Sequence, residues 1–292
     1  MTPNSSNNLP LEGSTEKLSG LVFARMQRYL GRLAKDAAPQ NVHHFRTNTR
    51  RIEVMVGQFA PESRNRKKLL KMLARLRKKA GKLRDVDVQI VFLKDLKLQE
   101  RGNHRAQLLR LLAEERLRRS RKLVKALSKA QVEEIRKRLR REQSQLSFNG
   151  LDPLRSAINS LPKPDPGPLT EKTLHAFRIS AKGSRYIAEL AGETAAATAL
   201  VEELKRAQDA IGEWHDIVKL KEKAAKQFGS ASNSALVSLL QNLSRARFRT
   251  ACHAFMSAMA TISRREEPSK LPVSAEHRAG ASGAAASNAA VA

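Results

Sequence analysis

The chain has 292 residues and carries 55 Lys and Arg against 28 Asp and Glu, a formal net charge of +27. A surplus on that scale raises the local concentration of polyanions, so nucleic acid, acidic lipid surfaces and other phosphate polymers are the favoured partners. Aromatic residues make up only 4%, too few for the stacking platforms of single-strand binders; the single cysteine, Cys252, allows no intramolecular disulfide; and no run of about 18 apolar residues is present to cross a membrane.

Taken in chain order, residues 1–13 have tail composition without the apolar stretch of a signal peptide, and the expectation is a tail outside the fold of a cytoplasmic protein. A helix starts near Ser14 and runs toward Pro39, with Leu18, Leu21, Val22, Met26, Leu30 and Leu33 in helical period. Helices are expected next over about 41–59, 62–82 running into 83–99, 102–128 and 130–147, with Pro61 and Gly102 as punctuation. The Pro-rich run Leu161-Pro-Lys-Pro-Asp-Pro-Gly-Pro168 is a linker no helix can cross, and the linker as a whole covers about 148–169. Helices resume over about 170–191, 195–228 and 231–263, and the Ala/Ser/Gly-rich stretch 266–292 again reads as a tail. Cys252 falls on an apolar helix face, where packing explains it better than nucleophilic chemistry. No alternating strand pattern competes with the helices, so the class is all-α.

Two of these helices carry the same basic stripe. The first reads Val42-His-His-Phe-Arg-Thr-Asn-Thr-Arg-Arg-Ile52 and the second Leu174-His-Ala-Phe-Arg-Ile-Ser-Ala-Lys-Gly-Ser-Arg-Tyr186. At about 100° per residue, the cations three, seven, eight and ten positions after the histidine fall within roughly 80° of it on either side. The opposite faces are apolar: Val42, Phe45, Thr49, Ile52, Val56 and Phe59 in one, Leu174, Phe177, Ala181, Ser184 and Ala188 in the other. A solvated basic face is the plain reading of one such stripe. Its repetition, with Arg46 facing Arg50 and Arg178 facing Lys182 at i,i+4, sets like charges together at a cost of about 0.2–0.5 kcal/mol each, which a multivalent anion would relieve.

The repeat extends beyond the stripes at a nearly constant offset. His175 answers to His43 at an offset of 132, Gly212-Glu-Trp-His-Asp216 to Gly81-Lys-Leu-Arg-Asp85 at 131, and Arg247-Phe-Arg249 to Arg116-Leu-Arg118 at 131. Eight helices are then expected in all, five before the linker and three after it, enough for two units of four-helix-bundle size.

The His-x-x-Arg-x-x-x-(Arg/Lys) pattern in each half, the Arg84-Asp85 and His215-Asp216 pairs, and the run Leu-His-x-x-Arg-Ile-x-x-Lys-x-x-Arg-Tyr over 174–186 resemble the CHAD domain, the conserved histidine α-helical domain, across about residues 15–265. The resemblance implies two four-helix bundles related by a pseudo-twofold axis, about 14–147 and 170–265, whose basic faces meet in a central groove or pore. It also implies binding of inorganic polyphosphate without hydrolysis, at granules of that polymer. Glu53 and Gly183 depart from the pattern, each removing one cation from its half.

For such a polymer a row of donors serves better than one pocket, and the planar fork of arginine bridges two phosphoryl oxygens where lysine acts as a point charge. The primary contacts are assigned to Arg46, Arg50 and Arg51 in the first half and Arg178, Lys182 and Arg185 in the second. Arg116, Arg118, Arg247 and Arg249 are either further contacts on the third helices or plain solvated arginines. His43 and His175 either donate to phosphate when protonated or orient their helices. His44 lies about 100° from His43 and is peripheral. Asp85 and Asp216 are expected to orient the facing arginines. Neither a catalytic residue, a metal site nor a cofactor is assigned. His215-Asp216 would suit a metal-dependent phosphohydrolase, but its counterpart is Arg84-Asp85, and arginine cannot ligate a metal. A second rival is a nucleic-acid-binding or basic scaffold protein. Non-specific binding to nucleic acid is expected at low salt, although no helix-turn-helix, zinc spacing or aromatic platform is present.

Overall fold

The computed structural model of the chain describes residues 12–98, 102–162, 167 and 169–266. Of the two expected tails, residues 1–11 and 267–292 lie outside these residues, as do positions 163–166 and 168 of the Pro-rich run, whereas Glu12, Gly13 and Glu266, expected in the tails, belong to the ends of helices. Among the described residues there are nine α-helices and no strand: α1 (Glu12–Lys35), α2 (Pro39–Phe59), α3 (Arg64–Asp95), α4 (His104–Lys125), α5 (Lys129–Gln143), α6 (Pro153–Asn159), α7 (Glu171–Ala188), α8 (Ala195–Phe228) and α9 (Ala235–Glu266).

Local signals set most of the boundaries. Pro39 opens α2 at a position where its missing N–H costs nothing. Ser63 caps α3 by accepting from the Arg66 amide at 2.9 Å, Thr170 and Thr173 form a reciprocal capping box on α7, and Thr194 caps α8. Gly229, at φ +82°, ends α8 in a conformation that favours glycine. One helix was not expected: α6 falls inside the stretch read as linker, started by Asp152, which accepts from the Arg155 amide at 3.0 Å, with Pro153 in the first turn.

The seams read from the two stripes are buried, apart from Phe59, which is partly exposed. In α1 the seam is shifted: Phe23, Met26, Leu30 and Leu33 are fully buried while Leu21 is 45% exposed. Phe23, Phe45, Leu69 and Leu73 anchor a first core drawn from α1, α2, α3 and α5 with the end of α4. Phe177, Leu200, Leu204 and Trp214 anchor a second from α6 to α9, where Phe177 meets Phe255 edge to face at 4.8 Å. Each fully buried Phe or Leu contributes about 1.5–3 kcal/mol relative to exposure.

A third apolar cluster was not legible as a separate core. It joins Val86 and Leu93 of α3, Leu108 and Leu112 of α4, Ile217, Leu220 and Ala224 of α8, and Leu236, Val237 and Leu240 of α9. The long helices α3 and α8 thus each serve their own bundle for most of their length and then cross into a cluster built by both halves. The switch falls between Leu83 and Val86 on α3 and between Trp214 and Ile217 on α8, where the Arg84-Asp85 and His215-Asp216 pairs lie. Matching helices keep the offset seen in the sequence: α3 starts at Arg64 and α8 at Ala195, α4 at His104 and α9 at Ala235, so both pairs of starts are separated by the same distance along the chain.

Arg116 pins α4 to α3. Its Nε donates to Asp87 Oδ1 at 2.7 Å and its Nη2 to the Ala37 carbonyl at 3.1 Å, with the Asp87 side chain only 2% exposed. Removing one partner of a buried pair strands the other charge, so Arg116→Ala is expected to cost about 3 kcal/mol. Urea unfolding with an unchanged slope and a lowered midpoint is the expected result; an unchanged midpoint would show that the pair carries no net stability.

Candidate anion-binding groove

The two basic stripes, on α2 and α7, face one another across a groove of about 590 Å³ whose other walls are α3 and α8. His43, Arg46 and Arg50 line it from the first half, and His175, Arg178, Lys182 and Arg185 from the second. The long helices add Arg84, Asp85, His215, Asp216 and Lys219, so seven Lys and Arg side chains face four carboxylates, those of Asp85, Asp209, Glu213 and Asp216.

The arginines are not waving in solvent. Arg178 lies flat across α8 at Gly212, where a Cβ would stand 3.1 Å from its Nη2, and Arg46 crosses α3 at Gly81, where the corresponding gap is 3.9 Å. The approach is close at Gly212, where the missing Cβ admits Arg178; at Gly81 the gap is ordinary van der Waals contact, so the matching glycine in the first half is not needed to admit Arg46. The aspartate one turn on faces the same space. Asp85 stands 3.8 Å from both Arg46 Nη1 and Lys219 Nζ, bridging α2, α3 and α8. Asp216 forms no ion pair within 4 Å among the described residues, and burial pushes its carboxyl up, with Arg178 opposing the shift.

The groove's electrostatics are those of a cation cluster only partly offset by its carboxylates. The buried Nε atoms of Arg46, Arg178 and Arg185 have no hydrogen-bond partner among the described residues, although Arg185 Nε stands 3.7 Å from Glu189 Oε1. Burial, then repulsion from Arg178, Arg50, Arg46 and Arg185, lowers Lys182 from the usual lysine value to about 7. Arg46 is held below the usual arginine value by burial, against the pull of Asp85, and Arg50 by burial and then Arg77; Arg178 presses on both from the other half. Burial and then Arg84 lower His43, and burial, Lys219 and Arg178 push His215 down to about 4, both shifts favouring the neutral imidazole. The His175 and His215 rings lie 5.5 Å apart.

Other expected contacts lie elsewhere. Arg51 is a strut between the halves: its Nε donates to Glu189 Oε2 at 2.8 Å and its guanidinium covers the Tyr186 ring, which Arg185 also covers. Arg116 is committed to Asp87, as above. Arg118 is exposed on α4 beside Glu114, Arg247 pairs at 3.5 Å with Glu213 of the groove wall and lines an adjoining cavity with Arg84 and Asp216, and Arg249 is exposed on α9. Their offset is regular, but none of the three lines the groove itself, and Arg247 alone reaches its wall. His44 stacks on Tyr29, away from the groove.

Lys219 and Arg84 were not singled out from the sequence as contacts. Lys219 follows His215 by one turn on the same face of α8, but its counterpart in the first half is Val88, so a search for repeated residues passes over it. Among the described residues no group of three or more His, Cys, Asp or Glu side chains converges as a metal site requires.

The family model for the CHAD domain matches residues 20–225, well over half of the sequence. The chain belongs to the CHAD family. Among solved structures, the CHAD domain from the plant Ricinus communis superposes with a TM-score of 0.62 at 17% identity, over 90% of this chain and 96% of that one. PptA from Streptomyces chartreusis superposes with a TM-score of 0.60 at 16% identity, over 87% of this chain and 99% of that one. At such identities these likenesses establish the fold. No curated protein sequence matches the chain.

For this CHAD protein the depressed Lys182 has a thermodynamic signature. Between pH 7 and the ordinary lysine value the unfolded chain binds the proton that folded Lys182 has lost, so the ligand-free fold gains stability as pH rises through that window. Thermal melts from pH 7 to pH 9 are expected to show a steeper rise for wild type than for Lys182→Gln. Parallel curves would mean that Lys182 keeps its charge in the empty groove.

Proposed function

We propose that this CHAD protein binds inorganic polyphosphate, without hydrolysing it, as one chain laid along the groove between two bundles related by a pseudo-twofold axis. In this reading the binding brings the protein to polyphosphate granules in the cytoplasm. The observation that carries it is the set of three buried guanidinium Nε atoms, on Arg46, Arg178 and Arg185, that lack a hydrogen-bond partner among the described residues around one cavity, with only Glu189 near one of them, 3.7 Å from Arg185 Nε. Buried donors are almost always paired, and a line of phosphoryl oxygens supplies acceptors to both halves at once. A linear polyanion of about one charge per phosphate also relieves the repulsion that depresses Lys182.

The shape of the site favours this ligand over nucleic acid. A duplex is too wide to enter a cleft of about 590 Å³, and Tyr186 is the one Phe, Tyr or Trp along its walls, which leaves the bases of a single strand with little to stack on. DNA is expected to bind the outer surface at low salt and to be displaced by polyphosphate at physiological salt.

Titration calorimetry with polyphosphate tests the reading. Tight binding with a log–log salt slope of several units is expected, because several phosphates shed counterions, together with no phosphate release when divalent metal is added. Since Lys182 is largely neutral at pH 8 when the groove is empty, binding there is expected to take up about one proton, and affinity falls as pH rises above 7. Buffers of different ionisation enthalpy measure that uptake. Absence of binding, or phosphate release, would overturn the proposal.

A further inference from the structure

The charge of the chain is unevenly divided. Residues 1–150 hold 36 Lys and Arg against 14 Asp and Glu, whereas residues 151–292 hold 19 against 14. The groove does not account for this, since its stripes draw on both halves. The excess lies on the outside of α3, α4 and α5, and one part of it is concave: a cavity of about 340 Å³ between α3 and α4, lined by Lys79, Lys82, Glu115, Arg118, Arg119 and Lys122. Arg119 is held by Glu115, and Arg118 has Glu114 at 3.9 Å. Lys79, Lys82 and Lys122 are exposed and form no ion pair within 4 Å among the described residues.

Two helices connect this cavity to the groove. On α3, Lys82 stands three residues before Asp85 and is its neighbour on the helix surface. On α8, Lys219 lines the groove, and Lys223, one turn or about 6 Å further on, donates to Glu115 Oε2 at 2.7 Å and Gln89 Oε1 at 3.1 Å. Cations therefore continue from the groove through Lys219 and Lys223 to the wall of the outer cavity. The second half has no equal: at the repeat positions matching Lys79, Lys82, Arg118 and Lys122 stand Ala210, Glu213, Arg249 and His253.

We infer that the α3–α4 cavity is a second polyphosphate subsite, which receives the chain where it leaves the groove on the side of the first half only. The inference rests on the polyphosphate reading of the groove and adds a direction to it. A chain long enough to emerge is held by two connected sites, and the outer one acts at the high effective concentration set by the tether. A chain that only fills the groove gains nothing from it.

The test is a quadruple variant, Lys79→Gln, Lys82→Gln, Arg118→Gln and Lys122→Gln, in the full chain, with Arg249→Gln as the control on the other half. Circular dichroism and thermal melting check the fold, and calorimetry is run with two polyphosphate preparations, one just spanning the groove and one many times longer. The expected result is unchanged affinity for the short chain, a loss of about tenfold or more for the long one, and a long-chain salt slope lower by about 3 units, at roughly 0.7 per lost phosphate contact. Arg249→Gln is expected to change neither. Equal losses for both lengths would assign these residues to the general field, and no loss for either would remove the subsite; both results overturn the inference while leaving the groove intact. Failure of wild type to bind either preparation would instead overturn the polyphosphate reading, and the subsite with it.

Discussion

The third apolar cluster fixes everything that follows. Val86 and Leu93 of α3 and Ile217 and Leu220 of α8 are buried against one another's neighbourhoods together with the first turns of α4 and α9. That burial holds the two long helices in register beyond their own bundles. Without it the halves would be joined chiefly by α2 against α7, by α1 at Leu190, whose carbonyl accepts from Thr15, and by ion pairs such as Lys219–Asp85 and Lys223–Glu115, against the mutual repulsion of two faces of like charge. With it, Arg46 and Arg50 are held opposite Arg178 and Lys182 although each repels the others. Hydrophobic burial of residues with no chemistry of their own thereby sustains an arrangement of charge that is unfavourable in the empty protein.

The groove stores that repulsion in two ways. Lys182 and His215 respond by releasing protons, reaching about 7 and about 4. The arginines cannot follow at neutral pH; Arg46 and Arg178 instead lie against Gly81 and Gly212, their Nε atoms without a hydrogen-bond partner among the described residues. Asp85 offsets part of the charge through Arg46 and Lys219, and Glu189 ties Arg51 of α2 to α7. These acids keep the cation rows aimed without neutralising them. The same feature links stability to function: substitutions that dilute the groove's charge relieve the empty fold and remove what would hold an anion.

Much of this was legible in the sequence, and the gaps have physical causes. The seams of α2 and α7 follow from a 3,4 alternation of apolar residues, and the stripes opposite them follow from the same geometry. His43, Arg46, Arg50, His175, Arg178, Lys182 and Arg185 therefore come together at the groove. Arg51 failed to join them because Glu189 and Tyr186, on the far side of the Pro-rich run, claim it; nothing local announces that contact. Arg116 and Arg118 kept a regular repeat, yet a repeat reports that two positions are equivalent and not which way they face. Lys219 was missed for the converse reason, since Val88 occupies its place in the first half. Helix α6 could have been found, because Asp152-Pro153 joins a capping residue to a first-turn proline, but the prolines after it dominated the reading. The third cluster is invisible to periodicity, because α3 and α8 continue their apolar seams smoothly while changing partners.

The central claim is that residues from both halves grip one ligand chain. A double-mutant cycle on polyphosphate affinity tests it most directly, pairing Arg46→Gln/Arg50→Gln with Arg178→Gln/Lys182→Gln, with stoichiometry read from the same titrations. The account predicts one chain per protein and a coupling energy well above the roughly 0.5 kcal/mol within which independent sites add. Strict additivity with two chains bound per protein would contradict it.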